Sequence, residues 1–405
     1  MTVTDLCTIR QCLSALPLAD FSAPCLDYRV RKLYSAQLLK IFITAQLLGW
    51  DSLSRIEAEL AADSELQLEF GCSISASQLS RRISDFPSCV LEALFHALLA
   101  KVHRLAAEQR KVPNNKLFII DSTKLKLPQK LSSWTIVDRR HCAVKVHTRL
   151  VVLANGETFP DRIVPSTGHV SDYEGADLLV VDPDATYIMD RGYVCYSRMD
   201  AWVAGNRKFI MRLNKRLLVK QVLHEEATDP ADPLIKRDAI VYLGHAKAGM
   251  LSPIRVVEFL DEQGRLYWIG TTRYDLSARE IADLYKQRWQ IELFFKWMKQ
   301  HLKFARLFAY KPEAVWNHIL IAMIAYALLF LIKMKNQVPQ TIWQFLRLLR
   351  VYAYRDWNSF LTAASKRPSG KTRGRRKREG PPPPYIAETC DVALIKVGRK
   401  SKKKK

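Results

Sequence analysis

Residues 285–299 read YKQRWQIELFFKWMK, a stretch that places four polar side chains at helical spacing. The four are Tyr285, Arg288, Glu292 and Lys299, at offsets of zero, three, seven and fourteen residues. At roughly 100° per residue they fall on one helical stripe about 60° wide. Apolar residues fill the adjoining flank. We therefore predict a packed helix that carries one polar face.

The start of this helix is also visible in the sequence. Residues 277–280 read Ser-Ala-Arg-Glu, a capping box with Ser277 as N-cap and Glu280 at the third helical position. The pattern predicts one helix that runs on through the polar stripe. The plain alternative for the stripe is a solvated face with an ion pair between Arg288 and Glu292, worth a few tenths of a kcal/mol.

The chain as a whole is basic and rich enough in apolar residues to fold. It has 405 residues, 48% of them hydrophobic, and 63 Lys+Arg against 40 Asp+Glu give a formal charge of +23. Such a composition excludes disorder for most of the chain. The charge favours a polyanionic partner, either nucleic acid or an anionic membrane surface.

The cysteines and apolar runs bear on the cellular compartment. The eight cysteines are scattered without a C-x-x-C pair, and the first residues do not have the pattern of a secretory signal. The longest apolar run, residues 319–332, is too short to span a bilayer and is typical of a buried helix. These features predict a reduced, cytoplasmic protein without a membrane partner.

The pattern of elements predicts an α/β protein. Residues 1–110 have helical periodicity, and we expect an all-α N-terminal DNA-binding domain there. Within it the polar segment 75–86 carries Arg81 and Arg82 and is either a DNA-reading helix or an ordinary exposed helix.

From Lys116 the period changes to strands that later alternate with helices, which predicts a mixed sheet covered by helices over residues 111–335. Residues 215–273 return to short β patterns, including a hairpin turn at 261–264, and indicate an all-β insertion. A helical segment is expected at 336–365. The basic, proline-containing tail 366–405 is expected to be disordered, and it either adds salt-sensitive DNA affinity or keeps the protein soluble.

Two aspartates follow apolar strand segments. Asp121 comes after Leu-Phe-Ile-Ile, and Asp190 comes after Tyr-Ile-Met. Either one alone has a plain explanation, because Asp favours turns. Together with Glu292 they make an all-oxygen set suited to Mg²⁺ or Mn²⁺, and such a triad can hold two ions for phosphodiester chemistry.

The helix motif and the two aspartate motifs resemble a known family. The pattern Tyr285-x2-Arg288-x3-Glu292-x6-Lys299 is similar to the Y-R-E-K signature of bacterial insertion-sequence DDE transposases of the insertion-sequence-four type. Asp121-Ser-Thr and Asp190-Arg-Gly-Tyr resemble the first and second aspartate motifs of that family. The resemblance covers about residues 116–333.

The resemblance implies a ribonuclease-H-like core that contains the β insertion. It also implies a cut-and-paste reaction at terminal inverted repeats, in which water frees a 3′-hydroxyl, a hairpin forms and reopens, and the 3′-hydroxyl attacks target DNA. Asp121, Asp190 and Glu292 would hold two Mg²⁺ ions, with Mn²⁺ as a substitute. A homodimer would pair two transposon ends on double-stranded DNA, at the bacterial nucleoid.

The remaining residues are candidates for DNA contacts. Basic groups beside the triad suit phosphates, and an aromatic side chain suits an extruded base. Trp268 is the aromatic candidate, with Tyr267 as the fallback and hairpin packing as the alternative role. Lys145, His147 and Arg149 share one strand face that contacts either DNA or solvent. The full set expected at DNA is Tyr285, Arg288, Lys299, Trp268, Arg191, Lys145, His147, Arg81 and Arg82.

Two other functions stay open from the sequence. One is a DNA-binding inhibitor or regulator of transposition without catalysis, and the presence of all three carboxylates argues against it. The other is a metal-dependent nuclease that lacks strand transfer. A test with a pre-cleaved end and supercoiled target separates the nuclease from a transposase, because only strand transfer gives joined product.

Overall fold

The computed structural model describes residues 7–21, 24–70, 74–111, 116–131, 133–138, 141–214, 218–245, 248–304 and 306–366. The segment Met1–Lys366 is one structural unit. From Arg367 onward the predicted tail lies outside the described residues.

The elements before the sheet are helices. Their bounds are α1 Thr8–Ser14, α2 Ser35–Leu48, α3 Leu53–Ala62, α4 Ser64–Phe70, α5 Ala76–Asp85 and α6 Ser88–Glu108. Local sequence explains where two of them begin, because the hydroxyls of Ser52 and Ser75 accept backbone N–H groups at the starts of α3 and α5. The segment with Arg81 and Arg82 is therefore helical, as the pattern predicts.

A mixed sheet follows. Two short α-helices lie between its strands in the sequence, and a third follows its last strand. The bounds are β1 Leu117–Leu127, β2 Ile136–Asp138, β3 His141–Val152, β4 Thr158–Thr167, α7 Asp172–Asp177, β5 Thr186–Met189, α8 Tyr196–Ala204, β6 Lys208–Arg212, β7 Val219–Glu226, β8 Ile235–His245, β9 Ala248–Gly249, β10 Ile254–Leu260, β11 Leu266–Thr271 and α9 Ala278–Lys286. The strand order is β4-β3-β1-β5-β6-β11-β10-β8-β7, with β2 also on β3 and β9 on β8.

The direction of the strands defines two halves of the sheet. β5 and β6 run parallel to β1, whereas β3 and β4 form an antiparallel edge beside β1. On the other side, β11 pairs antiparallel with β6 and continues into β10, β8 and β7. The strands of the predicted insertion therefore extend the same sheet.

The hairpin between β10 and β11 forms at the turn that the sequence indicates. Leu260 pairs with Leu266, and the Asp261 carboxylate accepts the backbone N–H groups of Gln263 and Arg265. Gly264 has φ +72°, a left-handed conformation that glycine adopts without strain. The hairpin prediction is confirmed.

Four helices complete the fold within the described residues, namely α10 Trp289–His301, α11 Pro312–Lys335, α12 Ile342–Tyr352 and α13 Trp357–Ser365. By length and composition α11 is apolar enough to cross a membrane, but 94% of its most apolar window is buried inside the protein. It packs against α2, α5, α6 and β4. α11 is thus the central helix, and the N-terminal helices share one hydrophobic core with the sheet.

Candidate active site

Asp121 and Asp190 lie side by side on neighbouring parallel strands. Ile120 of β1 is paired with Met189 of β5, and the two aspartates are the next residues along. Adjacent strands are about 5 Å apart, so both carboxyl groups share one edge of the sheet. Asp121 does not end its strand as expected, because β1 continues to Leu127 by pairing with β3.

A third carboxylate reaches this edge from α10, which packs against β1. Arg288 joins the two elements: its Nη2 donates a hydrogen bond to Glu292 Oε1 at 2.5 Å, and its Nη1 lies 3.9 Å from Asp121 Oδ2. The Arg288 side chain is only 12% exposed. The ion pair between Arg288 and Glu292 that the plain alternative predicts is therefore present. Its arginine is mostly buried and also faces a strand carboxylate, whereas the Glu292 side chain is 36% exposed.

The predicted continuous helix is interrupted between α9 and α10. The capping box at Ser277 and Glu280 forms as expected, but α9 ends at Lys286 and α10 begins at Trp289. Between them the hydrogen bonds span three residues rather than four; the Arg288 N–H, for example, donates to Tyr285 O at 3.0 Å. Because of this tighter turn, the four polar residues do not lie on one regular helix. Tyr285 is buried at 4% exposure.

Burial controls the charge of Asp121. Desolvation raises its pKa to about 6, while the backbone N–H of Ser122 and the charge of Arg288 oppose the shift. The neighbouring Asp190 and Asp172 raise the pKa further. Tyr193 is buried beside the same three carboxylates, and its pKa is also raised by burial and by their charge. Negative charge is therefore concentrated and poorly solvated at this edge.

The donor set fits a hard divalent cation. Asp190 Oδ1 is buried and has no hydrogen-bond partner among the described residues, so a cation would satisfy an oxygen that the protein leaves unpaired. Carboxylate oxygens are the ligands that Mg²⁺ and Mn²⁺ prefer. In the part of the chain that the structure describes, however, no three His, Cys, Asp or Glu side chains are grouped closely enough to share a metal ion. Arg288 stands between Glu292 and Asp121 instead.

A hydrogen-bond network that the sequence did not indicate supports Asp121. Ser122 donates its backbone N–H to Asp121 Oδ1 at 2.7 Å and its hydroxyl to Asp172 Oδ1 at 2.6 Å. Lys145 Nζ donates to the same Asp172 oxygen at 3.1 Å and to Val170 O at 2.6 Å. The signal for Asp172 was the Ser171–Glu174 capping box of α7, which identifies the helix start but not its neighbour.

Lys145 and His147 do not lie on a DNA-facing or solvated surface. β3 is an interior strand between β1 and β4, and the two residues are 4% and 0% exposed. His147 Nε2 is 3.0 Å from Ser166 Oγ, and burial, aided by the charge of Lys145, lowers the pKa of His147 to about 4. Both expectations for this strand face are corrected, because the two residues are internal in this structure.

The structure places Tyr267, rather than Trp268, next to Tyr285 of α9. The Tyr267 ring lies 6.0 Å from the Tyr285 ring and is stacked on Phe259 at 5.4 Å. Successive residues of a strand point to opposite faces. Trp268 therefore faces the other side of β11, where it is half-buried and packed against the core.

The other basic candidates differ in exposure. Arg191, in the turn after Asp190, and Lys299, near the end of α10, are exposed. Arg81 is exposed on α5. Its neighbour Arg82 is occupied, donating to Leu33 O at 3.2 Å and to the Asp27 carboxylate at 3.2 Å.

One exposed aromatic residue near the site was missed. Trp289, adjacent to Arg288, is 57% exposed, and Leu293 one turn later is 45% exposed. Their spacing of four residues puts them on one face of α10, beside Glu292.

A mixed sheet with acidic residues on adjacent parallel strands and a further carboxylate on a helix packed against it is the architecture of the ribonuclease-H-like class. The family model described as the transposase DDE domain matches residues 113–328, more than half of the chain. The chain belongs to this family, and it is an insertion-sequence DDE transposase, an enzyme class that acts on DNA.

Named relatives agree with this assignment. A "Probable transposase for insertion sequence element IS5377" of Geobacillus stearothermophilus is 27% identical over 71% of this chain and 76% of its own length. A "Putative transposase" of Sinorhizobium fredii is 29% identical over 65% of this chain and 73% of its own length. A "Putative transposase for insertion sequence element IS4SA" of Synechocystis is 24% identical over 64% of this chain and 73% of its own length.

Proposed function

We propose that this transposase cuts DNA at terminal inverted repeats and joins the freed 3′-hydroxyl to target DNA, with Asp121, Asp190 and Glu292 as the metal ligands. The observation that carries the proposal is the meeting of all three carboxylates around Arg288 at one edge of the sheet. Family membership supplies the substrate, because transposases act on DNA. It also supports the metal, because the family is generally dependent on divalent metal.

The bound Mg²⁺ ions would neutralise the carboxylates and polarise the scissile phosphate and its attacking oxygen. The chain's own residues hold and orient these groups. The Ser122–Asp172–Lys145 network fixes the Asp121 carboxylate, while the sheet fixes Asp190 beside it. The exposed cations Arg191 and Lys299 are the groups that we propose for contacts to phosphates near the cut.

The reaction is a series of phosphoryl transfers. In the first, a water oxygen attacks phosphorus and the transposon 3′-oxygen leaves as a hydroxyl. In the last, that hydroxyl attacks a target phosphate and displaces the target's 3′-oxygen. A hairpin between the two strands of one end is the proposed route to double-strand cleavage, with two copies of the chain pairing the two ends at the bacterial nucleoid.

The outer regions are proposed to bind DNA outside the reaction centre. We assign the N-terminal helices to recognition of the end, with Arg81 as the exposed contact on α5. The 15 basic residues of the tail 366–405 add affinity that does not depend on sequence and falls with salt. Tyr267, whose ring lies 6.0 Å from the Tyr285 ring, and the exposed Trp289, next to Arg288, are our candidates for stacking on an extruded base.

The decisive experiment is metal-dependent cleavage of a labelled duplex carrying the inverted repeats that flank the coding region. Asp121→Asn, Asp190→Asn and Glu292→Gln are each expected to lower cleavage by more than about 100-fold, beyond the 10–100-fold typical of outer-shell partners. Asp283→Asn is the matched control, since Asp283 is an exposed carboxylate on α9 that pairs with Lys286.

Cleavage by the three triad variants at the rate of the Asp283→Asn control would reject the triad. A second assay supplies a pre-cleaved end and supercoiled target. Joined product supports the transposase, cleavage without joining leaves a nuclease, and end binding without either product leaves a DNA-binding regulator.

A further inference from the structure

Arg288 occupies a position that the proposed metal site needs. Its two terminal nitrogens face different elements, Nη1 toward Asp121 Oδ2 at 3.9 Å and Nη2 toward Glu292 Oε1 at 2.5 Å. Asp190 acts on the same guanidinium through its charge. One mostly buried cation therefore lies between the carboxylates of Asp121 and Glu292, within range of the charge of Asp190.

This arrangement excludes joint metal binding by the same carboxylates. Mg²⁺ binds its oxygen ligands at about 2.0–2.1 Å. A guanidinium between two carboxylates therefore prevents one ion from contacting both. Here Glu292 Oε1 is already engaged, and the guanidinium separates it from Asp121. Consistently, no three potential ligands lie close enough to share a metal within the described residues.

The position of Arg288 in the backbone suits a side chain that moves. It stands at the break between α9 and α10, where it is the residue before the first turn of α10. The backbone N–H of Arg288 is held by Tyr285 O, so the helix break keeps its form whether or not the side chain holds Glu292. Rotation of the side chain alone would carry the guanidinium from the carboxylates toward solvent.

We infer that Arg288 is a displaceable cation that fills the metal site in the DNA-free protein and is released to a DNA phosphate when divalent metal binds. The inference rests on the proposed metal-binding role of the triad. Metal and Arg288 compete for the same carboxylates, and the planar fork of arginine suits a phosphate as well as a carboxylate. Metal binding therefore strengthens DNA binding, and by linkage DNA strengthens metal binding equally.

The first experiment measures Mn²⁺ affinity by calorimetry on the full chain without DNA. Arg288→Gln removes the competing charge, and we expect Mn²⁺ to bind about tenfold more tightly than to the wild type, within the range of ordinary coupling energies. Lys286→Gln is the matched control: it also removes one cation, from a lysine that pairs with the exposed Asp283 rather than with the triad. The control is expected to change the affinity less than twofold.

The outcomes separate the inference from the proposed function. Equal or weaker Mn²⁺ binding by Arg288→Gln, with wild-type binding that is lost in Asp190→Asn, overturns the inference and keeps the metal site. Absence of Mn²⁺ binding by the wild type, or binding that Asp190→Asn does not weaken, rejects the proposed metal site and the inference together.

A second measurement does not depend on the folding of a variant. Binding of the wild type to a terminal-repeat duplex is followed against salt concentration, with and without Ca²⁺ as a metal that does not support rapid cleavage. We expect Ca²⁺ to tighten binding and to steepen the slope of log affinity against log salt by about one phosphate contact. An unchanged slope in the presence of bound Ca²⁺ contradicts the release of Arg288.

Discussion

At the scale of single residues, Asp121 shows how the site differs from a surface cluster. A carboxylate that is largely removed from water beside two others is unfavourable, and this cost appears as a pKa raised mainly by burial to about 6. Arg288 and the Ser122 N–H relieve part of it. Residues that are unfavourable for folding and well placed for chemistry are typical of functional sites.

This cost predicts a pH-dependent gain in stability for Asp121→Asn in the presence of EDTA. With a folded pKa of about 6 and an unfolded value near 3.8, the folded state binds more protons between these values, so the free energy of unfolding falls as pH rises through this window. Asparagine does not titrate. We expect the variant to gain at most about 3 kcal/mol over the wild type at pH 7.5, and much less at pH 4.5.

Urea denaturation of both proteins at the two pH values measures this difference, with Asp283→Asn as the exposed control. An equal change at pH 4.5 and 7.5 would show that ionisation of Asp121 does not destabilise the folded state.

The sequence was less informative about Lys145 and His147. Strand alternation suggested that both side chains are accessible, but β3 is covered on both faces. Alternation does not reveal whether the second face is solvated.

At the scale of elements, the features encoded by a few neighbouring residues could be predicted from the sequence, whereas those that depend on long-range contacts could not. The capping box at Ser277 and the turn before Gly264 are complete within a few residues, so the sequence predicts the start of α9 and the β10–β11 hairpin. The break at Gln287 contains neither glycine nor proline, the usual causes of an interrupted helix. It coincides with contacts from Arg288 to β1, which no local pattern encodes.

The same limit applies to Asp172 and to the choice between Tyr267 and Trp268. Asp172 reaches Ser122 and Lys145 from fifty and twenty-seven residues away. The two aromatic residues are adjacent in sequence, and only the packing of β11 against α9 decides which one meets Tyr285. By contrast, Asp121, Asp190 and Glu292 were predictable as candidates, because each stands in a recognisable local motif.

α7 offers a test of element packing at Gly175. This glycine has no unusual backbone conformation, and an added Cβ would lie 2.2 Å from His147 Nδ1. Gly→Ala within a helix normally stabilises by up to about 1 kcal/mol. Here we expect a net loss of about 1–3 kcal/mol, because α7 must move away from the buried imidazole. Thermal unfolding measures the effect.

The control for this prediction is a double-mutant cycle with His147→Ala. Removal of the ring should make room for the alanine, so the penalty of Gly175→Ala should shrink in the His147→Ala background. Additive losses would show that the close approach between α7 and β3 is not the cause.

At the scale of the whole molecule, α11 connects the N-terminal helices to the catalytic sheet. Asn317 is fully buried on α11, and its Nδ2 donates to Ile83 O at 2.8 Å and to Phe86 O at 2.7 Å, at the end of α5. Gln109, just after α6, donates to Met334 O near the other end of α11. The predicted boundary near residue 110 therefore falls inside a shared core.

This architecture predicts that α5, α6 and β1 unfold together in one transition, and that Asn317→Leu destabilises all of them. Leucine is similar in size to asparagine but leaves two buried carbonyl groups without a donor, at a cost of about 2–4 kcal/mol. Native-state hydrogen exchange followed by mass spectrometry resolves the elements separately. Equal loss of protection in peptides from α6 and β1 is the expected result, since α11 packs directly against α6 and, through β4, against the sheet that contains β1. Loss confined to α5 and α6, with β1 unchanged, would show instead that the N-terminal helices are an independent folding unit despite the core they share with the sheet.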